Sequence, residues 1–277
     1  MAKGKDKEHA EAKRPQGSDP RRRLPGLAWP SIALVLIVAG VLIGMYGAGE
    51  GPPDKPEPPR AAIVDQLSVL LMNETFITEV TTELEEFGFE VDLYQGDEIT
   101  VDLYRELPTR NYKLIIFRAH SGIMGEGDEA HVETVIFTNE RYNRLRHWSD
   151  QIAGRLRMAT VGIYQPIVFG IPPEFITDSM IGRFDDAVVI MMGCSGSYLD
   201  DLAMSFVEKG ALAYLGWDDI VGLHYVDRAT AYLVRQLCSE GLTIEEAVAG
   251  TMAHIGADPT YKAELSYYPS LSGGRTL

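Results

Sequence analysis

From residue 61 onward, short apolar runs rich in β-branched residues alternate with longer segments of helical periodicity. The apolar runs predict strands, and the periodic segments predict the helices that connect them. The predicted strands cover residues 61–71, 91–94, 113–119, 187–192 and 211–217. The predicted helices cover residues 76–87, 101–107, 172–181, 199–209, 225–240 and 244–255. This alternation favours an α/β fold: a mostly parallel sheet flanked by helices on both faces, at residues 61–277.

The first sixty residues have a different pattern. Residues 1–27 are rich in Lys and Arg and predict a basic cytoplasmic tail. Residues 28–48 are predicted to form one transmembrane helix, because about 20 apolar residues span a bilayer and Trp29 and Tyr46 stand at its ends. A cleaved signal peptide is the alternative, and the long basic region argues against it. Residues 49–60 are Pro-rich and predict a semi-rigid linker.

The positive-inside rule then places the chain in the cell membrane as a single-pass protein with residues 61–277 outside the cytoplasm. The formal net charge of the chain is −15, and residues 61–277 are more acidic still because the basic residues concentrate at the start. This charge argues against nucleic acid as a partner. No Cys/His spacing is typical of a metal site, and we expect neither metal nor cofactor; the oligomeric state stays open.

Two predicted strands end in a reactive side chain that is followed within two residues by glycine. Residues 112–122 (YKLIIFRAHSG) contain His120, and residues 187–196 (AVVIMMGCSG) contain Cys194. Ligands bind and chemistry occurs at the carboxyl ends of parallel strands. The two motifs therefore predict a nucleophilic site in which Cys194 and His120 act together.

Two other readings of the cysteines remain open. A cysteine at a strand end is often a small buried apolar residue, and Cys238 in its helix is expected to be one. The second alternative is a disulfide between Cys194 and Cys238, a bond that an oxidising compartment permits.

Three motifs together resemble a known family. They are His120-Ser121-Gly122, Gly193-Cys194-Ser195-Gly196 and Leu215-Gly216-Trp217-Asp218. Their order is similar to that of the caspase-like fold of clan CD cysteine peptidases, which includes caspases, clostripain, gingipains, legumains, separases and CHAT domains. The resemblance is strongest to separases and CHAT domains.

The resemblance implies that Cys194 is the nucleophile and His120 its proton-transfer partner. It also implies an oxyanion hole of backbone N–H groups from Cys194 and from Ser121 or Gly122. One residue departs from the family pattern, because Ser121 stands where the family has glycine directly after the histidine. If the backbone needs a positive φ at this position, serine is strained there.

The family's Arg-specific members imply an acidic substrate-binding residue after the strand that follows the cysteine helix. Asp218 and Asp219 match this position, and Asp200 and Asp201 are weaker candidates. The alternative is that these acids are solvated or cap helices. A basic cluster between the two motifs is a candidate self-processing site or the basic face of an amphipathic helix, and it contains Arg141, Arg144, Arg146, Arg155 and Arg157.

The sequence thus predicts a membrane-anchored cysteine endopeptidase with a protein or peptide substrate and a preference for cleavage after Arg or Lys. The first alternative is a catalytically inactive caspase-like module that binds or senses at the cell surface, and Ser121 is the feature that favours it. The second is a flavodoxin-like or Rossmann-like ligand binder. The absence of a Gly-rich phosphate loop after residues 61–71 weakens this second alternative.

Overall fold

The computed structural model describes residues 57–125, 132–162, 165–239 and 241–277. Residues 57–277 form one compact unit. The strands are β1 (Arg60–Asp65), β2 (Glu90–Gln95), β3 (Tyr112–Arg118), β4 (Ser121–Gly125), β5 (Val132–Arg141), β6 (Arg157–Ala159), β7 (Val168–Ile171), β8 (Val188–Met191), β9 (Ala213–Trp217) and β10 (Leu265–Tyr268). The α-helices are α1 (Glu74–Phe87), α2 (Val101–Glu106), α3 (Trp148–Ile152), α4 (Pro173–Asp178), α5 (Asp201–Glu208), α6 (Leu223–Ser239) and α7 (Ile244–Ile255).

The main sheet has six strands in the order β10-β9-β8-β3-β1-β2. Neighbouring strands from β9 to β2 are parallel, whereas β10 pairs with β9 in the antiparallel sense. A second, four-stranded sheet has the order β4-β5-β7-β6, and all its pairs are antiparallel. It arises from residues 121–171, for which the sequence predicted no strand.

Helices cover both faces of the main sheet. Because strand residues alternate between faces, Leu114 and Ile116 of β3 pack with α1, α6 and α7, while Ile115 and Phe117 pack on the opposite side with α2, α4 and α5. The core is therefore two apolar layers separated by the sheet.

The predicted fold needs two corrections. The predicted sheet differs from the one found, because the main sheet is mixed, with antiparallel β10 at one edge, and a second, wholly antiparallel sheet accompanies it. The transmembrane helix in the predicted fold is also not found, since no helix in the described part of the chain is long and apolar enough to span a bilayer. The predicted tail 1–27, the predicted span 28–48 and most of the linker 49–60 lie outside the described residues.

Most predicted elements are present with small shifts at their ends. The helix predicted at residues 199–209 is α5, and Gly210 follows it with a φ of +106°, as its role in ending the helix requires. The strand predicted at residues 61–71 is wrong after Asp65, where the chain turns into a 3-10 helix at Gln66–Val69. The amphipathic helix considered for the basic cluster is also wrong, because only Trp148–Ile152 is helical there.

Candidate active site

The sheet register brings His120 and Cys194 to neighbouring strand ends. Phe117 of β3 pairs with Met191 of β8, and each candidate residue lies three positions beyond its strand's member of this pair. Parallel neighbours are about 4.8 Å apart, so the two backbones leave the sheet side by side. This edge also holds the point where the strand order reverses, between β1 and β3. Ligands of open α/β sheets bind at such points.

The loop after β8 holds Cys194 in a defined position. Ser195, the next residue, has a φ of +55°, which non-glycine residues adopt rarely. Its N–H donates to the carbonyl of Asp219 at 2.9 Å, and the N–H of Ser197 donates to the carbonyl of Trp217 at 2.9 Å. The hydroxyl of Tyr214 donates to the carbonyl of Gly196 at 2.8 Å. The loop is thus fastened to β9 and to the residues that follow it.

Cys194 and Cys238 lie in different surroundings. Cys194 is a half-buried free thiol whose Sγ lies 3.9 Å from the carbonyl oxygen of Val221. Cys238 is a buried free thiol in the apolar layer under α6, and burial raises its pKa to about 12. The prediction for Cys238 is confirmed, and the Cys194–Cys238 disulfide is not formed.

His120 is half-buried, and this burial lowers the pKa of its imidazole below the ordinary value of 6.5. Its ring lies 6.0 Å from the ring of Phe137, measured between centroids. Within the described residues, no hydrogen bond joins the imidazole to Sγ of Cys194. The lowered pKa favours the uncharged imidazole of His120, which is suited to accept a proton.

Ser121 connects the histidine strand to the cysteine loop. Its hydroxyl donates to the carbonyl of Cys194 at 2.7 Å. The two segments approach so closely that a Cβ at Gly193 would lie 2.6 Å from the carbonyl oxygen of Ala119 and would overlap Oγ of Ser121. Glycine at position 193 is therefore required by this contact.

The strain considered for Ser121 is absent. Ser121 begins β4 and is not among the described residues with positive φ. The N–H of Phe137 donates to the carbonyl of His120, so the next pair along β4 and β5, Ser121 and Ile136, is a non-hydrogen-bonded pair. The N–H of Ser121 therefore points away from β5, toward the open edge of the second sheet. The N–H of Gly122 consequently faces β5. Among the described residues, the N–H of Cys194 has no acceptor either.

The two acids proposed to bind substrate differ in their partners. Both Asp218 and Asp219 are exposed. Oδ1 of Asp218 accepts the N–H of Glu264 at 2.7 Å, which joins β9 to β10. Oδ1 of Asp219 accepts the N–H of its own neighbour Ile220 at 2.7 Å, and its carbonyl holds Ser195 beside Cys194. Asp219 is thus the acid tied directly to the cysteine loop.

The weaker pair of acids lies at the start of α5. Asp201 accepts the N–H of Thr134 from β5 at 2.6 Å and the N–H of Leu202 at 2.8 Å. Asp200 occupies the N-cap position without a capping hydrogen bond from its side chain. Asp201 therefore joins the helix to the second sheet, whereas Asp200 is exposed.

The basic cluster is divided between paired and exposed residues. Arg155 pairs with Asp150 at 3.1 Å, and Arg157 pairs with Glu133. The side chains of Arg141, Arg144 and Arg146 are exposed at and after the end of β5, and Arg146 also pairs with Glu140 at 3.1 Å.

Sequence reasoning missed a buried ionic group beside the candidate site. Arg118, two residues before His120, is fully buried and donates to Asp227 of α6 at 2.8 and 3.0 Å and to Asp65 of β1 at 2.8 Å. Burial opposes the charged guanidinium, but its hydrogen bonds to the two carboxylates outweigh this effect and raise the pKa of Arg118. The signal in the sequence was a single charge inside an apolar run, at a strand end.

A second missed group orients the backbone of His120. Oε1 of Gln66 accepts the N–H of His120 at 2.9 Å, and Nε2 of Gln66 donates to Oδ1 of Asn139 at 2.8 Å. Asn139 in turn donates to the carbonyls of Gln66 and Gly96 at 3.1 and 3.0 Å. The residue after β1 therefore fixes the start of the segment that carries the histidine.

No protein-family model matches this chain, and no curated protein matches it significantly. The similarity to clan CD peptidases consequently rests on the three motifs alone.

Proposed function

We propose that this protein is a cysteine endopeptidase with Cys194 as nucleophile and His120 as general base and acid. The observation that carries the proposal is the position of the two residues: each lies three residues beyond one member of a paired position on the adjacent parallel strands β3 and β8. Two reactive side chains at one sheet edge are the minimum that nucleophilic acyl transfer needs.

The chemistry begins from neutral His120. The imidazole accepts the thiol proton of Cys194 as Sγ attacks the peptide carbonyl, and the resulting imidazolium donates that proton to the leaving amine as the C–N bond breaks. Water then attacks the thioester and gives a proton to His120. The C–S bond breaks, the proton returns to the sulfur of Cys194, and the acid product leaves.

The backbone N–H groups of Cys194 and Ser121 are the proposed donors to the oxyanion. Neither N–H has an acceptor among the described residues, whereas the N–H of Gly122 faces β5. Each such donor contributes about 3 kcal/mol to the transition state in other enzymes. Ser121 therefore takes the role that glycine has in the family.

The proposed substrate has Arg or Lys before the cleaved bond. Asp219 is the better acid for this role, since its carbonyl already holds Ser195 next to the nucleophile. A carboxylate binds a guanidinium through two parallel hydrogen bonds. Self-cleavage after Arg144 or Arg146, both exposed, follows from the same preference.

The competing proposal is a binding module of the same fold without catalysis. The missing hydrogen bond between His120 and Cys194 favours it, although catalytic hydrogen bonds often tighten only when substrate binds.

The deciding experiment measures two properties of the full-length chain. Alkylation from pH 5 to 9, mapped by mass spectrometry, should modify Cys194 faster than Cys238, and His120→Ala should slow the reaction at Cys194 alone. Peptides with Arg or Lys before the scissile bond should be cleaved by the wild type and not by Cys194→Ala. Equal alkylation of both thiols in the absence of cleavage would leave the binding module as the function.

A further inference from the structure

A small cavity borders His120 on the side of the second sheet. His120 and Phe137 line it, together with Val69 and Leu70 from the turn after β1 and Val161 from the segment before β7. The cavity has a volume of about 50 Å³. One water molecule needs about 10–15 Å³ on this measure, so the space suits a side chain of about three or four carbons.

Two polar residues of the cavity wall, Gln66 and Asn139, have already used their hydrogen-bonding groups. Gln66 donates to Asn139 and accepts from His120, while Asn139 donates to two backbone carbonyls. A polar ligand that paired with Gln66 or Asn139 would have to break these bonds, and a buried polar group without partners is costly. Phe137, Pro166 and Val168 add apolar surface to the wall, which therefore favours an apolar occupant.

The apolar rim of the cavity is open to solvent. The exposed fractions are 57% for Val69, 46% for Leu70 and 46% for Val161. Covering these side chains removes apolar surface from water, which stabilises a bound hydrocarbon group. Their position beside the histidine puts such a group next to the proposed chemistry.

We propose that this cavity binds a small branched apolar side chain, of the size of Val or Leu, from a substrate residue that flanks the cleaved bond. The inference rests on the proposed function for the role of the occupant as substrate. The preference itself follows from the cavity's wall and rim, and it can be measured without catalysis.

The first test is binding to the full-length protein by NMR of the imidazole of His120, assigned with His120→Gln. N-acetyl-leucinamide should shift the signal at concentrations at least tenfold lower than N-acetyl-asparaginamide. Val161→Asn should weaken leucinamide binding about tenfold, whereas Val132→Asn should leave it unchanged. Val132 has a similar exposure of 43% and does not line the cavity. Equal shifts by both probes, or no effect of Val161→Asn, would overturn the inference.

The second test is cleavage of a peptide library varied on both sides of the scissile bond. Leu should exceed Asn by about 10- to 100-fold in kcat/KM at one flanking position, and Val161→Asn should reduce this ratio. Cleavage without such a preference refutes the cavity's role while the peptidase stands. Leucinamide binding without any cleavage refutes the peptidase and supports the apolar cavity.

Discussion

Arg118→Met should be among the most destabilising single substitutions in this domain. The variant keeps a long unbranched side chain in the same space but removes the guanidinium between Asp65 and Asp227. Arg118 and Asp65 are both 0% exposed, and Asp227 is 3% exposed. Water is therefore not available to replace the lost donors.

The magnitude follows from the three hydrogen bonds that Arg118 donates. Hydrogen bonds to charged groups contribute about 1.5–3 kcal/mol each, but these contributions are not independent. The variant also avoids the cost of burying the guanidinium itself. Breaking a buried ion pair on one side typically costs about 3–5 kcal/mol, and we expect a loss in this range for the free energy of unfolding.

The assay is urea denaturation of the full-length chain at pH 7. Arg235→Met is a matched control, because Arg235 also bridges two carboxylates, Glu79 at 2.9 Å and Glu83 at 2.8 Å, but its side chain is 45% exposed. We expect about 0–1 kcal/mol for this control.

A second comparison separates uncompensated charge from lost packing. The triple variant Asp65→Asn, Arg118→Met, Asp227→Asn carries no ion in this group and should be more stable than Arg118→Met alone. The reasoning would be refuted if Arg118→Met and Arg235→Met cost the same, or if the triple variant were the least stable of the three.

Three further predictions concern the candidate site and its surroundings. Gly193→Ala should lower the free energy of unfolding, measured by urea denaturation, by about 1–3 kcal/mol because the added Cβ meets the carbonyl of Ala119. Gly122→Ala, with open space around its Cβ, should lower it by less than about 1 kcal/mol, and equal losses would contradict this reasoning. Burial lowers the pKa of His120, so its contribution to stability is present above about pH 6.5 and lost as the pH falls through the folded-state pKa. Wild type should therefore lose more stability than His120→Asn between pH 7 and 5, and parallel pH profiles would exclude this. Cys238, with its pKa raised to about 12, should resist alkylation at pH 8 until urea unfolds the chain, and rapid native labelling would disprove it.

Much of the main sheet was predictable because its signal is local. Strands β3, β8 and β9 are largely apolar runs buried on both faces, and such runs can be recognised from a few consecutive residues of the sequence. The second sheet was not predictable in this way. Its strand β5 buries Thr134, Thr138 and Glu140, so its buried positions do not form an apolar pattern.

The residues of the candidate site also fall into those that local sequence signals identify and those that they do not. His120 and Cys194 were identified from the sequence because each directly follows a strand signal, and parallel strands deliver their ends to one edge. The side chains that support them were not identified, since the roles of Gln66, Arg118 and Asn139 depend on hydrogen-bond partners that are distant in the sequence.

The sequence by itself determined the order of β1, β2, β3, β8 and β9 and of the main helices around them, the positions of the two reactive residues and the ends of several helices. Local backbone preferences and periodicity set these features, and they act over a few residues. Only the tertiary structure decided that Ser121 holds the cysteine loop and that Arg118 meets a carboxylate 109 residues away. A charge within an apolar run destabilises a fold unless folding supplies its counter-charge, and that partner is fixed by packing over the whole domain.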